Sequence, residues 1–204
     1  MSEKIYLYSV WIRLWHWFNA FMCLLLIITG LSMQYSDPEF PMIRFDWAVS
    51  IHNVAGVILV FSYLYFLVGN LLTANGKHYL FRKGIFKNLI LQARYYAFGI
   101  FKGEKPPFPI SKEHKFNPLQ KFSYIVVMHF VIPCVCISGV MLLYPDVLVI
   151  DLFGNKALHM TDLLHVMLGF TISLFLVVHL YFCTIGHTPI SNFKGMITGH
   201  HETH

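Results

Sequence analysis

Charged residues are scarce in this sequence. Only 12% of its 204 residues are Asp, Glu, Lys or Arg, about half of the roughly 25% that soluble domains carry. Hydrophobic residues make up 56% of the chain and aromatic residues 17%. This composition excludes an intrinsically disordered protein, which needs low hydrophobicity and high charge, and it argues against a water-soluble globule. We therefore expect most of the chain to lie in a lipid bilayer.

The cysteine spacing excludes several cofactors. All four cysteines lie inside apolar runs and no pair has the C-x-x-C spacing, which argues against an iron–sulfur cluster or a covalently attached c-type haem. We interpret these thiols as small buried apolar groups. The net charge of +5 comes with no zinc finger, RNA-binding signature or base-reading basic helix, so no nucleic-acid partner is predicted.

Four stretches reach the length of about 20 mostly apolar residues that a membrane-spanning helix needs. The predicted spans are residues 13–33, 50–72, 121–144 and 162–185, with a long connection at 73–120. The first apolar stretch is too long for a signal peptide and lacks a cleavage site, so we expect it to be retained. The sequence predicts an all-α membrane protein: a four-transmembrane-helix bundle that forms one domain over residues 1–204.

The distribution of Lys and Arg predicts the orientation of the spans. The long connection, together with Lys121 at its end, holds ten of the 15 basic residues and the two ends hold three more, whereas the short loops hold only Arg44 and Lys156. Basic residues accumulate on the cytoplasmic side, so both termini and the connection are expected there, in a bacterial or archaeal inner membrane. Within the connection, residues 84–101 have apolar residues at helical spacing and predict an amphipathic helix in the headgroup plane.

Histidines inside the predicted spans indicate a functional site, because ionisable groups are costly in a bilayer. In the predicted topology, His52 and His165 lie near the outer surface, and His16 and His179 lie near the cytoplasmic surface. His165 and His179 are fourteen residues apart, which places them on one helix face about 21 Å apart. Neutral imidazole is the usual axial ligand of haem iron. The pattern therefore predicts two bis-histidine haems, one at each level.

The positions of several other residues relative to these histidines predict their roles. Gly56 and Gly169 each follow a histidine of the outer pair by four residues, so both are expected on the same helix face, leaving room for a flat macrocycle. Arg13 could contact a haem propionate or act as a cytoplasmic topology charge. His129, mid-membrane in the third span without a partner at its level, is expected to be structural or to line a pocket. The His-rich tail, residues 199–204, is expected to be solvated.

Several short motifs, taken together and in order, resemble one family. They are RLWHW at 13–17, H-x-x-x-G at 52–56 and 165–169, KFNPLQK at 115–121 and FKGMITG at 193–199. They are similar to the cytochrome b (gamma) subunits of respiratory formate dehydrogenases and of membrane-bound nickel–iron hydrogenases. The resemblance covers nearly the whole chain.

This resemblance implies a four-helix cytochrome b with two haem b groups. It also implies an iron–sulfur subunit and a catalytic dehydrogenase or hydrogenase on the outer face, in a complex that we expect to form a higher oligomer. The chain would pass electrons to menaquinone or ubiquinone and do no bond chemistry of its own.

The family's quinone site lies on the cytoplasmic side and includes the Asn of its K-[YF]-N motif, which corresponds to Asn117 here. We add Gln120 and Lys121, because they follow on the same turn. Two alternatives stay open: Asn117 could be the N-cap of the third span before Pro118, and Lys121 could be a positive-inside charge.

Two other functions fit the same spans. A cytochrome b subunit of a thiosulfate or polysulfide reductase, or of another quinol-oxidising complex, would carry electrons in the opposite direction. A non-redox histidine-containing transporter or anchor is the second alternative, although a transporter should show a charged pathway or inverted repeats. The only internal echo is IHNVAG against LHVMLG.

Overall fold

A computed structural model describes residues 4–37, 39–80, 84–111, 113–148, 155–186 and 188–202. The chain is almost entirely helical over these ranges. In order, the elements are β1 (Lys4–Tyr6), α1 (Val10–Tyr35), α2 (Phe45–Leu72), α3 (Ile85–Arg94), α4 (Pro118–Val126), α5 (Ile132–Leu143), α6 (Pro145–Leu148), α7 (Asn155–Cys183), α8 (Ser191–Thr198) and β2 (His200–Glu202).

Four long apolar helical stretches can cross a membrane. They are Val10–Tyr35, Phe45–Leu72, Pro118–Leu143 and Lys156–Cys183, each 26 or 28 residues long. At 1.5 Å per residue they extend about 39–42 Å, which exceeds the roughly 30 Å hydrocarbon core. At most 28% of the most apolar window of each is buried within the protein. Exposed apolar surface on this scale is expected to face lipid, so the predicted all-α, multi-pass membrane protein is confirmed.

The helices begin earlier than the apolar pattern alone predicts. The second starts at Phe45 rather than residue 50, with Asp46 in its first turn, where an acidic side chain stabilises the helix dipole. The third starts at Pro118 rather than 121, because Asn117 caps it and proline is well suited to the first helical turn. Asp46 and Gln120 lower the local hydropathy at these two helix starts, so a hydropathy pattern places them too late.

Within the third span a π-helical turn, Val127–Val131, separates α4 from α5. Pro133 lies two residues after its end. Proline has no N–H to donate to the carbonyl of residue 129, four positions earlier, and its ring crowds that carbonyl. Local widening into a π turn is a common way for a helix to accommodate such an interruption. The π turn at Val127–Val131 is therefore explained by Pro133.

The contacts divide the chain into two compact units. The first comprises Met1–Arg13, Gly69–His129 and Phe182–His204, and the second comprises Leu14–Val68 and Phe130–Tyr181. The second unit has a core of Met22, Ala55 and Leu59, with Cys23 and Cys136 packed against it. All four cysteines are free, and Cys134 is exposed. The expectation of buried thiols is therefore wrong for Cys134, whose outward position on α5 is compatible with lipid.

The first unit joins the two ends of the chain. Strands β1 and β2 pair antiparallel, with Lys4 opposite Glu202 and Tyr6 opposite His200. The tail is thus ordered as a strand over His200–Glu202, which the sequence did not indicate because a three-residue strand has no readable periodicity. The predicted amphipathic helix is present as α3, which exposes Phe86 and Ile90. It ends at Arg94, and Tyr95–Gly99 continues as a π-helical turn.

Candidate functional site

The second unit contains two pairs of facing histidines. The rings of His52 on α2 and His165 on α7 have centroids 6.1 Å apart at an interplanar angle of 72°. The rings of His16 on α1 and His179 on α7 have centroids 6.2 Å apart at 56°. These are the same two pairs that the sequence predicts, so helix α7 contributes one histidine to each.

The separation of the rings is compatible with a metal ion shared between them. An imidazole nitrogen binds a metal ion at about 2.0–2.1 Å, and the ring centroid lies about 1.1 Å behind that nitrogen. Two imidazoles on opposite sides of one ion therefore have centroids about 6.3 Å apart. Both observed separations, 6.1 and 6.2 Å, match this value.

In the His52/His165 pair, Nδ1 of each ring is hydrogen-bonded to a hydroxyl group. Thr29 Oγ1 lies 2.9 Å from His52 Nδ1, and Ser138 Oγ lies 2.9 Å from His165 Nδ1. Both hydroxyl side chains are almost completely buried. Metal-binding histidines commonly use their other nitrogen in this way, which fixes the ring orientation.

Two glycines beside these hydroxyl residues leave space for the rings. A Cβ at Gly30 would lie 3.6 Å from His52 Cε1, and a Cβ at Gly139 would lie 3.1 Å from His165 Cε1. Sequence reasoning missed Thr29–Gly30 and Ser138–Gly139. The available signal was the hydroxyl–glycine dipeptide that occurs once in the first span and once in the third.

The two glycines that the sequence analysis predicts beside the macrocycle, Gly56 and Gly169, border open space. A Cβ at Gly169 would meet no atom within 4 Å, and a Cβ at Gly56 would only touch Leu26 at 4.0 Å. Both positions therefore leave room on the helix face that carries a histidine. Their role beside a macrocycle stays a prediction.

The His16/His179 pair has a different environment. His16 Nδ1 is buried and has no hydrogen-bond partner among the residues that the structure describes. Its ring packs edge-on against Trp17, and the ring of His179 stacks on Phe175 with an angle of 17°. A buried, unpaired ring nitrogen is costly in an apolar setting, so this pair is better explained by a bound group than by packing alone.

Arg13 and His129 have partners of their own in the first unit. The Arg13 guanidinium donates through Nη1 to the carbonyl of Ile197, in the last turn of α8, where a positive charge stabilises the helix dipole. His129 Nδ1 lies 3.2 Å from the carbonyl of Ile125 on its own helix, and its ring contacts that of Tyr79. The propionate role of Arg13 stays a prediction.

The residues predicted to bind quinone lie at the start of α4. Asn117 Oδ1 accepts the backbone N–H of Gln120 at 2.9 Å, and Gln120 Oε1 accepts that of Asn117 at 3.2 Å. This is a capping box, so the N-cap alternative is correct as a description of the local structure. The remaining Asn117 contact is from Nδ2 to the hydroxyl of Tyr96, at 2.9 Å. Tyr96 was not identified from the sequence.

Lys121 lines a cavity of about 400 Å³ in the same unit. Lys77 and Lys115 also line it, together with Phe116 and Pro118. Partial burial and the nearby charge of Lys77 lower the pKa of Lys115, whose Nζ donates to Asn75 Oδ1 at 3.1 Å. The cavity thus combines cationic and apolar walls.

Comparison with known proteins identifies the family. The sequence profile of the prokaryotic cytochrome b561 family matches residues 7–199. The chain belongs to this family. It is also 38% identical over 202 residues to the Escherichia coli K12 protein named "Putative cytochrome YdhU", covering 98% of this chain and 76% of that protein.

Membership of the cytochrome b561 family implies haem b, and the residues present fit that cofactor. The histidines come in two facing pairs with ring centroids 6.1 and 6.2 Å apart, and these four imidazoles would hold the haem iron. His16 Nδ1 is a buried polar atom without a protein partner in the described part of the chain, and the space beside Gly169 is open. The chain is accordingly a multi-pass membrane cytochrome b561 with a role in electron transfer.

Proposed function

We propose that this chain is the membrane-anchoring, di-haem cytochrome b subunit of a respiratory oxidoreductase complex. It would transfer electrons between an iron–sulfur or catalytic subunit on the outer face and the quinone pool on the cytoplasmic side. The observation that carries the proposal is the presence of two histidine pairs with ring separations of 6.1 and 6.2 Å. One haem b at each pair accounts for both.

In this proposal His52 and His165 hold one haem, and His16 and His179 hold the other. Haem b, when bound, takes up and releases single electrons at its iron. The protein orients the imidazoles through helix packing and keeps water away, since Thr29 and Ser138 are buried at 1% and 2% exposure. Gly56 and Gly169 leave room for the macrocycles. Arg13, in the first turn of α1, would contact a propionate.

The quinone site is proposed at the start of α4, around Asn117, Gln120 and Lys121. Asn117 uses its side-chain amide to cap the helix and to hold Tyr96, so we assign it a positioning role there. Tyr96 is the better donor to a quinone carbonyl. Its hydroxyl oxygen accepts a hydrogen bond from Asn117 Nδ2 at 2.9 Å.

With the hydrogen bond from Asn117 accepted, the Tyr96 hydroxyl still has its own hydrogen to donate. Burial raises the pKa of Tyr96, so the phenol is protonated at neutral pH. Reduction of a quinone to a quinol takes up two electrons and two protons. Tyr96 would donate one proton, which the cytoplasm replaces, and the second proton would also come from the cytoplasm. Lys121, which follows Asn117 by four residues, would add a positive charge that stabilises the reduced, more negative quinone oxygen.

The partner subunits are proposed from the motifs rather than from contacts. RLWHW at 13–17 and KFNPLQK at 115–121 favour a dehydrogenase of the formate or hydrogenase type. The excess of basic residues in the long connection supports cytoplasmic termini in an inner membrane. A thiosulfate or polysulfide reductase would use the same two haems with quinol as the donor.

The test is the haem content of the purified full-length protein and of single variants. A reduced-minus-oxidised visible spectrum should show b-type haem at two per chain. His52→Ala and His165→Ala should each remove one haem, and it should be the same one, identified by its redox midpoint and its electron paramagnetic resonance signal. His16→Ala and His179→Ala should each remove the other.

A matched control is His159→Ala, which changes an exposed histidine on the same helix as His165. It should keep both haems. Loss of different haems from His52→Ala and His165→Ala would overturn the pairing. Absence of b-type absorbance from the wild-type protein would overturn the proposed function itself.

A further inference from the structure

Two hydroxyl–glycine dipeptides on different helices contact the same histidine pair. Thr29–Gly30 on α1 contacts His52, and Ser138–Gly139 on α5 contacts His165. In each dipeptide the hydroxyl is 2.9 Å from Nδ1 and the glycine lies against Cε1 of the same ring. The two sites therefore share one local arrangement, although they come from helices about a hundred residues apart in the chain.

The direction of the Thr29 hydrogen bond follows from its other contacts. Thr29 Oγ1 lies 2.7 Å from the carbonyl of Leu25 and 3.2 Å from that of Leu26. Carbonyl oxygens only accept, so the hydroxyl hydrogen is committed to the backbone. The contact with His52 can then be made only if the ring donates from Nδ1. His52 is therefore the Nδ1–H tautomer, and its Nε2 carries the lone pair.

The same reasoning applies to Ser138. Its Oγ donates to the carbonyl of Val135 at 3.1 Å, so its contact with His165 Nδ1 must be accepted from the ring. Both members of the pair therefore present Nε2 as the nitrogen able to bind a metal. In the other pair, His16 Nδ1 has no such partner among the described residues.

We infer that Thr29 and Ser138 are positioning residues that hold His52 and His165 as Nδ1–H tautomers and make both rings stronger electron donors than His16. The inference rests on the proposed haem at this pair. An N–H group that donates a hydrogen bond leaves more electron density on the ring and raises its basicity as a ligand. Stronger donation favours oxidised iron, so these hydroxyls lower the reduction potential at the His52/His165 pair.

The experiment is a spectroscopic redox titration of the full-length protein in detergent, with electron paramagnetic resonance on the oxidised form. Thr29→Val keeps the shape of the side chain and removes the hydroxyl, and Ser138→Ala removes the other one. Each should raise the midpoint potential of the haem lost in His52→Ala, and the double variant should raise it further. The midpoint of the other haem should not move.

Two variants serve as controls. Thr29→Ser retains the hydroxyl and should restore the wild-type midpoint. Thr171→Val removes a hydroxyl that donates to the carbonyl of Met167 on its own helix, and it should leave both midpoints unchanged. If Thr29→Val loses this haem altogether, the inference is supported when both Thr29→Ser and Thr171→Val retain it.

Unchanged midpoints in Thr29→Val and Ser138→Ala, or shifts no larger than in Thr171→Val, would overturn the inference while leaving the proposed function intact. A shift confined to the other haem would also overturn it. A wild-type protein without b-type haem would overturn both, so the two failures are distinguishable.

Discussion

Gly139→Ala tests how tightly the protein holds His165. A methyl group at this position would lie 3.1 Å from Cε1 of the ring and 3.7 Å from its Nδ1. Favourable carbon–carbon contacts lie at about 3.5–4.0 Å, so the ring or the helix must move by about half an ångström. The ring cannot rotate away without breaking the 2.9 Å hydrogen bond to Ser138, the neighbouring residue.

Two opposing free-energy terms set the magnitude. Replacing a glycine inside a helix by alanine stabilises the folded state by about 0.5–1 kcal/mol. Overpacking a tight site costs about 1–3 kcal/mol. For Gly139→Ala the second term dominates, and we expect a net loss of about 0.5–2 kcal/mol. At Gly30 the added Cβ would lie 3.6 Å from His52 Cε1, an ordinary contact, so Gly30→Ala should be neutral or stabilising by up to about 1 kcal/mol.

The two variants are measured side by side by thermal unfolding in detergent and by haem content. Gly139→Ala should unfold a few degrees below Gly30→Ala and should lose or weaken one haem, the one removed by His165→Ala. Gly30→Ala should retain both haems. Equal stability and equal haem content in the two variants would refute the argument that the Gly139 contact limits the position of His165.

Further predictions concern residues outside the two histidine pairs. His129→Ala should keep both haems in a pyridine haemochrome assay, because His129 Nδ1 contacts its own helix; a drop to one haem would make His129 a ligand. Tyr96→Phe should impair quinone reduction at limiting quinone with normal haem spectra, and unchanged turnover would count against Tyr96 as the donor. Asn117→Ala should combine that defect with a loss of about 1 kcal/mol in stability from the removed N-cap, whereas Asn117→Asp should preserve the cap and serve as its control.

The sequence predicted the membrane spans and the histidine pairs because both depend on periodicities that are fixed by the helix. Fourteen residues are close to four turns, so His165 and His179 had to share a face. The partners on α1 and α2 followed from the predicted direction of each span. Those inferences need only helix geometry and the order of the spans.

The residues that hydrogen-bond to the histidines and to Asn117 could not be predicted in the same way. Whether Thr29 reaches His52 depends on the rotation of α1 against α2, and serines and threonines inside apolar helices most often bond to their own backbone, as Thr171 does. Tyr96 was missed for a related reason. Its contact with Asn117 joins residues that are 21 positions apart in the sequence. The contact depends on where the π-helical turn Tyr95–Gly99 places the Tyr96 ring.

The His52/His165 level draws on all four long spans. Thr29 comes from α1, His52 from α2, Ser138 from α5 and His165 from α7. A group bound between the two histidines would therefore stabilise the packing of four helices at once, and binding to the folded state alone raises stability by mass action. Loss of the cofactor at this level should consequently lower the unfolding temperature, so His52→Ala should unfold below the His159→Ala control in detergent. Equal unfolding temperatures would mean that helix packing at this level does not depend on the cofactor.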